Sequence, residues 1–338
     1  MADLAMPVAG QEYPATWSEF RGWFPDEDAC GRYLERLRWP GGFVCPRCGV
    51  SEAPYRSSRG RLMCSACGHQ ASVTAGTIFA KTRTPLSVWF AAAWYVTSQK
   101  HGVSALSMQR ILGLGSYQTA WTLMHRFRRA MVRPQRDRLH GTVEVDELYV
   151  DLGNRDEPFV PKSLSGKRET SKLLVVAAVE VKDPSGLGRI RLRRIPAAAQ
   201  RYVQPFVTSV VDPSARVRTD GSLIYNFLPR EGYEHDRLIA QDTAASRLAT
   251  LPGVNRVASL LKRWLLGTHH GAIQPRQLDY YLDEFVFRFN RRTAKARGLL
   301  FYRLLAQAVH CAPVTYRDIA GRPPDPPLDP TLDLSGYP

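Results

Sequence analysis

Residues 141–150 read GTVEVDELYV, and their alternation decides the fold of the larger part of the chain. The stretch predicts a strand with Val143, Val145 and Glu147 on one face and Glu144, Asp146 and Leu148 on the other. A bare carboxylate is costly to bury, so an acid in the middle of a central strand must be paired, hydrated or metal-bound. Downstream, SKLLVVAAVEV (171–181) and GRIRLRRI (188–195) predict two more strands. A helix at 199–210, a short strand ending RVRTD (216–220), a helix near 222–228 and a strand around 233–240 follow, and helices at 253–266, 276–292 and 297–310 close the pattern. This order describes a mixed sheet covered by helices. The tail after Gly321 is too rich in proline and too poor in apolar residues to pack, and is expected to be disordered.

Asp220 ends the short strand and is followed by Gly221, so it sits where the backbone turns and space opens. Two aspartates on neighbouring strand ends, Asp146 and Asp220, form a hard oxygen site suited to Mg2+ or Mn2+. Taken singly, each also fits a salt bridge to one of the many arginines, and Asp220 fits a turn aspartate.

Nearer the N-terminus stand CPRC and CSAC, with Cys45/Cys48 and Cys64/Cys67 each followed by glycine. Two such knuckles set four thiolates around one structural Zn2+. Cys30 and Cys311 lie far from the quartet and read as small buried hydrophobes. No secretory signal opens the chain, so a disulfide framework is not expected.

The 338 residues carry 46 Lys and Arg against 31 Asp and Glu, a formal charge of +15 that calls for a polyanionic partner. The longest apolar run, Val88 to Val96, is too short to span a bilayer, so no membrane partner is expected. Residues 17–40 read as one helix, with Cys30, Tyr33, Leu34 and Leu37 at helical spacing, and the ribbon follows, ending in an alternating stretch, HQASVTAGTIF, that predicts its last strands. Helices at 85–99, 103–112 and 116–131 come next, Ser116 standing as an N-cap. The last two form a helix-turn-helix pattern that would present Tyr117, Gln118 and Thr119 to base edges, with Arg126, Arg128 and Arg129 available for phosphates. An ordinary helical hairpin with Trp121, Leu123 and Met124 in its core fits the same pattern equally well.

With these pieces in hand, the chain resembles the zinc-ribbon insertion-sequence transposases of the ISXO-like group, whose catalytic core is of the RNase H-like, DDE type. The match rests on CPRCG...CSACG with SVTAGTIF, VEVDELYV, VRTDG...Y, GYEH, and NRVASLLKRWLLGTHHG followed by YLDEFVFRFNRR. The resemblance implies a multidomain α/β protein: an N-terminal helical segment (1–42), a zinc ribbon (43–80), a helix-turn-helix-like module (81–138), an RNase H-like catalytic domain (139–312) and a Pro/Asp-rich tail (313–338). It makes Asp146 and Asp220 the first two metal-binding acids and puts Asn255 at the third position, with Ser259 and the phosphate-contacting Lys262 on the same helical face. Asparagine there departs from the DDE pattern, although the group includes such variants; a neutral amide binds a hard cation less well than a carboxylate. Glu284, the alternative third acid, reads better as a partner of Arg288 at i+4.

The implied activity is transposition in a prokaryotic cytoplasm, at the nucleoid: two Mg2+ or Mn2+ ions assist strand cleavage at the element's terminal repeats and strand transfer into target DNA. Double-stranded DNA is the partner, and synapsis of two ends implies a homodimer or larger assembly. His269 and His270 are further candidates for DNA contact. Arg288, Arg291 and Arg292 form a basic patch that fits phosphate contact and plain solvation equally, and His235 fits a structural role better than a supporting one. Two rivals stand beside this reading: a DNA-binding protein that no longer cuts, and an RNase H-like nuclease that stops at hydrolysis.

Overall fold

In the computed structural model the stretch expected as one helix over 17–40 is two, α1 (Trp17–Trp23) and α2 (Glu27–Arg38). Pro25 and Asp26 make the break: proline disfavours a helical residue before it, and the Asp26 side chain accepts from the Ala29 amide at 2.8 Å to start the second helix. The structure describes residues 7–57, 60–133, 136–151, 172–182, 186–239, 250–271 and 273–321. They divide into two units, one from Met1–Arg133 with Thr293–Ala320, the other from Pro134–Arg292. The Pro/Asp-rich tail expected to be disordered lies outside the described residues.

In the first unit a small antiparallel sheet of β1 (Tyr55–Arg56), β2 (Leu62–Met63) and β3 (Gln70–Ala71) carries the cysteine knuckles. Only the start of HQASVTAGTIF is strand. Beyond it the chain turns, with Thr77 Oγ1 donating to the Thr74 carbonyl at 2.7 Å and Arg38 donating to the carbonyls of Ser72 and Val73. Helices α3 (Leu86–Ser98), α4 (Ala105–Ile111) and α5 (Tyr117–Ala130) follow, and Ser116 caps α5 by accepting from the Thr119 amide at 3.1 Å. The unit is completed from the far end of the sequence by α9 (Arg297–Ala308) and α10 (Tyr316–Gly321). Expected with the catalytic domain, α9 belongs here because Phe301 is fully buried among the rings of Phe20, Phe24, Tyr33, Phe90 and Trp94.

In the second unit the ten-residue strand β4 (Thr142–Asp151) is the middle of a five-stranded mixed sheet. The order is β6 (Leu187–Ile195), β5 (Lys172–Val181), β4, β7 (Arg216–Thr219), β8 (Glu234–Arg237). The first three are antiparallel neighbours; β7 runs parallel to β4, and β8 to β7. Helix α6 (Gln200–Val210) covers one face, where Val143, Val145, Val176 and Ala178 pack on Val203, Phe206 and Val207. Helices α7 (Pro252–His269) and α8 (Leu278–Asn290) cover the other, where Leu148, Ala177 and Val179 meet Val257, Leu261 and Phe285. Cover on both faces is why β5 is an almost unbroken apolar run. The helix expected near 222–228 is instead two 3₁₀ turns, Leu223–Tyr225 and Leu228–Glu231, separated before Pro229. Among the described residues no helix is long and apolar enough to cross a membrane.

Candidate metal centres

The two cysteine knuckles have the same backbone. The Cys45 amide donates to the Val50 carbonyl and the Gly49 amide to the Cys45 carbonyl; Cys64, His69 and Gly68 repeat this at matching distances. Both turns need positive φ, which Gly49 (75°) and Gly68 (67°) supply. The four Sγ atoms lie within 4.8 Å of one another, with Cys45–Cys67 at 3.7 Å and Cys48–Cys64 at 3.6 Å. A zinc tetrahedron with Zn–S bonds of about 2.3 Å has edges of about 3.8 Å, so the quartet fits that ion. Burial raises the Cys45 thiol, but the amides of Cys48 and Arg47 and the neighbouring sulfurs outweigh it and bring the group down to about 6. For Cys48 the Val50 amide pulls the thiol down, but the surrounding sulfurs and burial overcome it and push the group up to about 12, so the metal-free quartet concentrates its thiolate character on Cys45. Among the described residues this is the group of three or more Cys, His, Asp or Glu side chains gathered so closely.

In the second unit the β4–β7 ladder runs to Glu144 beside Arg218. Continuing that parallel register by two residues sets Asp220, just past the end of β7, beside Asp146. Burial, followed by the charges of Glu147, Asp220 and Glu144, pushes Asp146 up to about 7 against the pull of the Glu147 amide. Every charge raising it is another carboxylate; of these, Glu147 bonds on the opposite face and Glu144 caps α7, which leaves Asp220 as the carboxylate placed to share a divalent cation with Asp146. Asp220 is exposed, and its carboxylate accepts from the Ser222 amide at 2.9 Å.

Asn255 lies in the first turn of α7, which packs on β4 and β5. No side chain from the residue preceding α7 caps the helix; the cap comes from the sheet. Glu144, 2 % exposed, accepts from the Val254 amide at 2.9 Å, and the Gly253 amide also reaches its carboxylate. Gly253 leaves room for this approach, since a Cβ there would lie 2.8 Å from Glu144 Oε2 and would make the carboxylate shift. The strand that carries Asp146 is thereby fastened to the turn that carries Asn255. Ser259 and Lys262 share the exposed face of α7, while Val254, Val257 and Leu261 line its buried face.

Several other candidates are placed differently from their expected roles. Arg288 pairs with Glu284 at 2.7 Å, and Glu284 is fully buried. Arg291 lies 4.1 Å over the Phe287 ring and donates to the Phe287 carbonyl; Arg292 reaches the Gly188 and Leu187 carbonyls. Arg288 and Arg291 thus bond within their own helical segment, while Arg292, itself exposed, ties the end of α8 to β6. His269 is buried against Trp264 and Tyr281, which removes it from an exposed contact surface, whereas His270 is exposed in a left-handed turn. In the first unit Arg126 is half-buried and donates to the Ile78 carbonyl at 3.1 Å, and Arg128 is 1 % exposed. Gln118 is exposed and Thr119 sits in the capped first turn of α5.

Two groups escaped the reading of motifs. Glu144 shares a face with Asp146, and the alternation of GTVEVDELYV was the available signal that it too would point into the helical layer. Glu147 Oε1 accepts from the Tyr225 hydroxyl at 2.5 Å on the opposite face, and no local pattern in the sequence announces that pair.

Residues 138–290 match the ISXO2-like transposase domain, and residues 25–70 match the transposase zinc-ribbon domain. The chain is also 27 % identical over 274 residues to an uncharacterized protein of the transposable element ISH50 from Halobacterium salinarum, covering 78 % of this chain and 91 % of that protein. No solved structure gives a significant match. The cysteine knuckles fall within the ribbon match, and Asp146, Asp220 and Asn255 within the other; in both segments the chain is similar to transposases.

Proposed function

We propose that the protein is the transposase of an insertion sequence, binding the element's ends and catalysing metal-dependent strand cleavage and strand transfer. The observation that carries this reading is the acidic concentration at Asp146 and Asp220, beside the sheet-capped turn that bears Asn255. The strand order, with three antiparallel strands followed by two parallel ones and helices on both faces, supports an RNase H-like assignment for the second unit. In this reading Asp146, Asp220 and Asn255 hold Mg2+ or Mn2+. Two such ions would supply charge neutralisation at the attacking and leaving oxygens of an in-line phosphoryl transfer.

The chain's own residues do the positioning. Asp146 and Asp220 would hold the divalent ions from the sheet, since carboxylates alone repel a phosphate, and Glu144 keeps the Asn255 turn against that sheet. Lys262, exposed on the same helical face as Asn255, contacts a phosphate of the bound DNA. Burial of the unit's apolar faces keeps this frame rigid, so catalysis rests on orientation and charge and needs no side-chain nucleophile. Helices α4 and α5 act as a helix-turn-helix module, with Gln118 and Thr119 toward bases, and a zinc-loaded ribbon supports recognition of the ends. Double-stranded DNA is the partner, two ends are brought together by at least a dimer, and the work takes place at the nucleoid of a prokaryotic cell.

A second reading, a DNA-binding protein that no longer cuts, is favoured by one observation: the third ligand position is the neutral Asn255. Purified protein with Mg2+ or Mn2+ on DNA carrying the gene's own flanking ends separates the two. Cutting and joining that Asp146→Ala, Asp220→Ala and Asn255→Ala each abolish supports the transposase. Binding without cutting in either metal supports the second reading, and nicks without joined products would leave a nuclease.

A further inference from the structure

The backbone ladder between β4 and β7 stops at Glu144 and Arg218, before either aspartate is reached. Past that point a different connection spans the gap. Glu147, the residue after Asp146, accepts from the Tyr225 hydroxyl at 2.5 Å. Tyr225 closes the 3₁₀ turn Leu223–Tyr225, five positions after Asp220, and is fully buried in the core with Val143, Val145 and Phe206. The intervening turn is itself fixed: Asp220 accepts from the Ser222 amide at 2.9 Å, Thr219 Oγ1 accepts from the Gly221 amide at 3.3 Å, and the same hydroxyl meets His235 Nε2 at 2.9 Å. A continuous path therefore runs from Asp146 through Glu147 and Tyr225 to Asp220. Alternation puts Glu147 on the face opposite Asp146, so Glu147 is turned away from any cation held between the aspartates.

We propose that Glu147 and Tyr225 are positioning residues: their hydrogen bond is a clasp that sets the spacing of Asp146 and Asp220 and so the affinity of that pair for a divalent cation. The inference rests on the reading of those aspartates as metal ligands. A hydrogen bond between a half-buried carboxylate and a fully buried hydroxyl anchors better than an exposed one, and cation affinity falls when ligands must be reordered on binding.

The test is Mn2+ binding to the full-length protein, followed by the electron paramagnetic resonance signal of free Mn2+, with a thermal melt of each variant. Tyr225→Phe is expected to weaken Mn2+ binding by about tenfold, the loss of one charge-assisted hydrogen bond. Glu147→Ala and Glu147→Gln remove the same charge, but only glutamine keeps an oxygen for Tyr225, so Glu147→Gln should bind more tightly than Glu147→Ala. Adding Tyr225→Phe to Glu147→Ala should cost nothing further. Phe206→Leu, which loosens the same core without touching the clasp, should lower the melting temperature and leave Mn2+ affinity alone. Wild-type affinity in Tyr225→Phe, or an equal loss in Phe206→Leu, overturns the clasp. If the wild type shows no Mn2+ binding that Asp146→Ala removes, the metal-site reading fails and the clasp falls with it.

Discussion

The carboxylate of Glu144 on β4 accepts a 2.9 Å hydrogen bond from the amide of Val254, 110 residues along the chain, and it caps a helix that has no cap of its own. A buried carboxylate at a helix N-terminus satisfies amides that would otherwise lack partners and meets the positive end of the helix dipole. Glu144→Ala should therefore destabilise the second unit by about 2 kcal/mol, the cost of unsatisfied buried amides together with a lost cap. Gly253→Ala should do comparable damage by forcing the carboxylate away. Urea unfolding of the two variants and of their double mutant checks this: both act on one contact, so the double should fall well short of the sum.

The zinc fit gives a prediction that reads only the first unit. The cysteine core is small, comprising Phe43, Cys45, Leu62, Cys64 and Ala71 with Trp39 and Cys67 against it, and its three strands are two residues each. So little buried surface does not hold a ribbon without its metal. Zinc measured in purified protein should be one per chain. Chelation or Cys64→Ser should broaden the amide resonances of the ribbon while leaving those of β4–β6 in place. A zinc-free protein with an intact ribbon spectrum would refute it.

Much of this architecture is legible in the sequence where one residue's environment is set by its neighbours in the chain. The β4 alternation, the Ser116 cap and the paired knuckles are local, and the structure has them within a residue or so of where periodicity puts them. What was not legible depends on contacts between distant segments. Periodicity identifies α8 as a helix, but it cannot say that Arg288 turns to a buried Glu284 or that Arg292 reaches the carbonyls of β6. Glu144 and Asp146 are chemically alike, two positions apart on one face; only the arrival of α7 makes the first a cap and leaves the second among carboxylates. The division of the 17–40 helix was available in Pro25, whose effect on its neighbour outweighs the helical spacing around it.

The inward turn of Arg288 separates two expectations that read alike in the sequence. Were it a phosphate contact, Arg288→Ala would weaken DNA binding and spare stability. The fully buried Glu284 predicts the reverse: removing this ion-pair partner of a buried carboxylate should cost about 3 kcal/mol, with a lowered melting midpoint. Lys262→Ala, on the exposed face of α7, should leave the midpoint unchanged and flatten the salt dependence of DNA binding by about one phosphate contact. Thermal melts and binding isotherms at several salt concentrations distinguish these outcomes.

Glu180 on β5 should set part of the acid limb of stability. Burial raises its carboxyl, but the Arg189 side chain, the Arg189 amide and the His140 amide outweigh that and hold it below the ordinary carboxylate value of 4.5. The contacts are close: Arg189 Nη2 at 2.7 Å, its amide at 2.7 Å and the His140 amide at 3.1 Å. A carboxylate whose pKa is depressed on folding contributes stability that is fully present above its unfolded value, and loses it as pH falls through the folded one. Stability lent by Glu180 is thus intact at neutral pH and lost in the acid range below about 4.5. Glu180→Gln should lower stability at pH 7 by about 2 kcal/mol, less than for a fully buried pair because Arg189 is partly exposed, and should flatten the fall of stability from pH 5 to pH 3. Guanidinium unfolding across that range measures both effects, and an unchanged slope in the variant would assign the acid limb to other carboxylates.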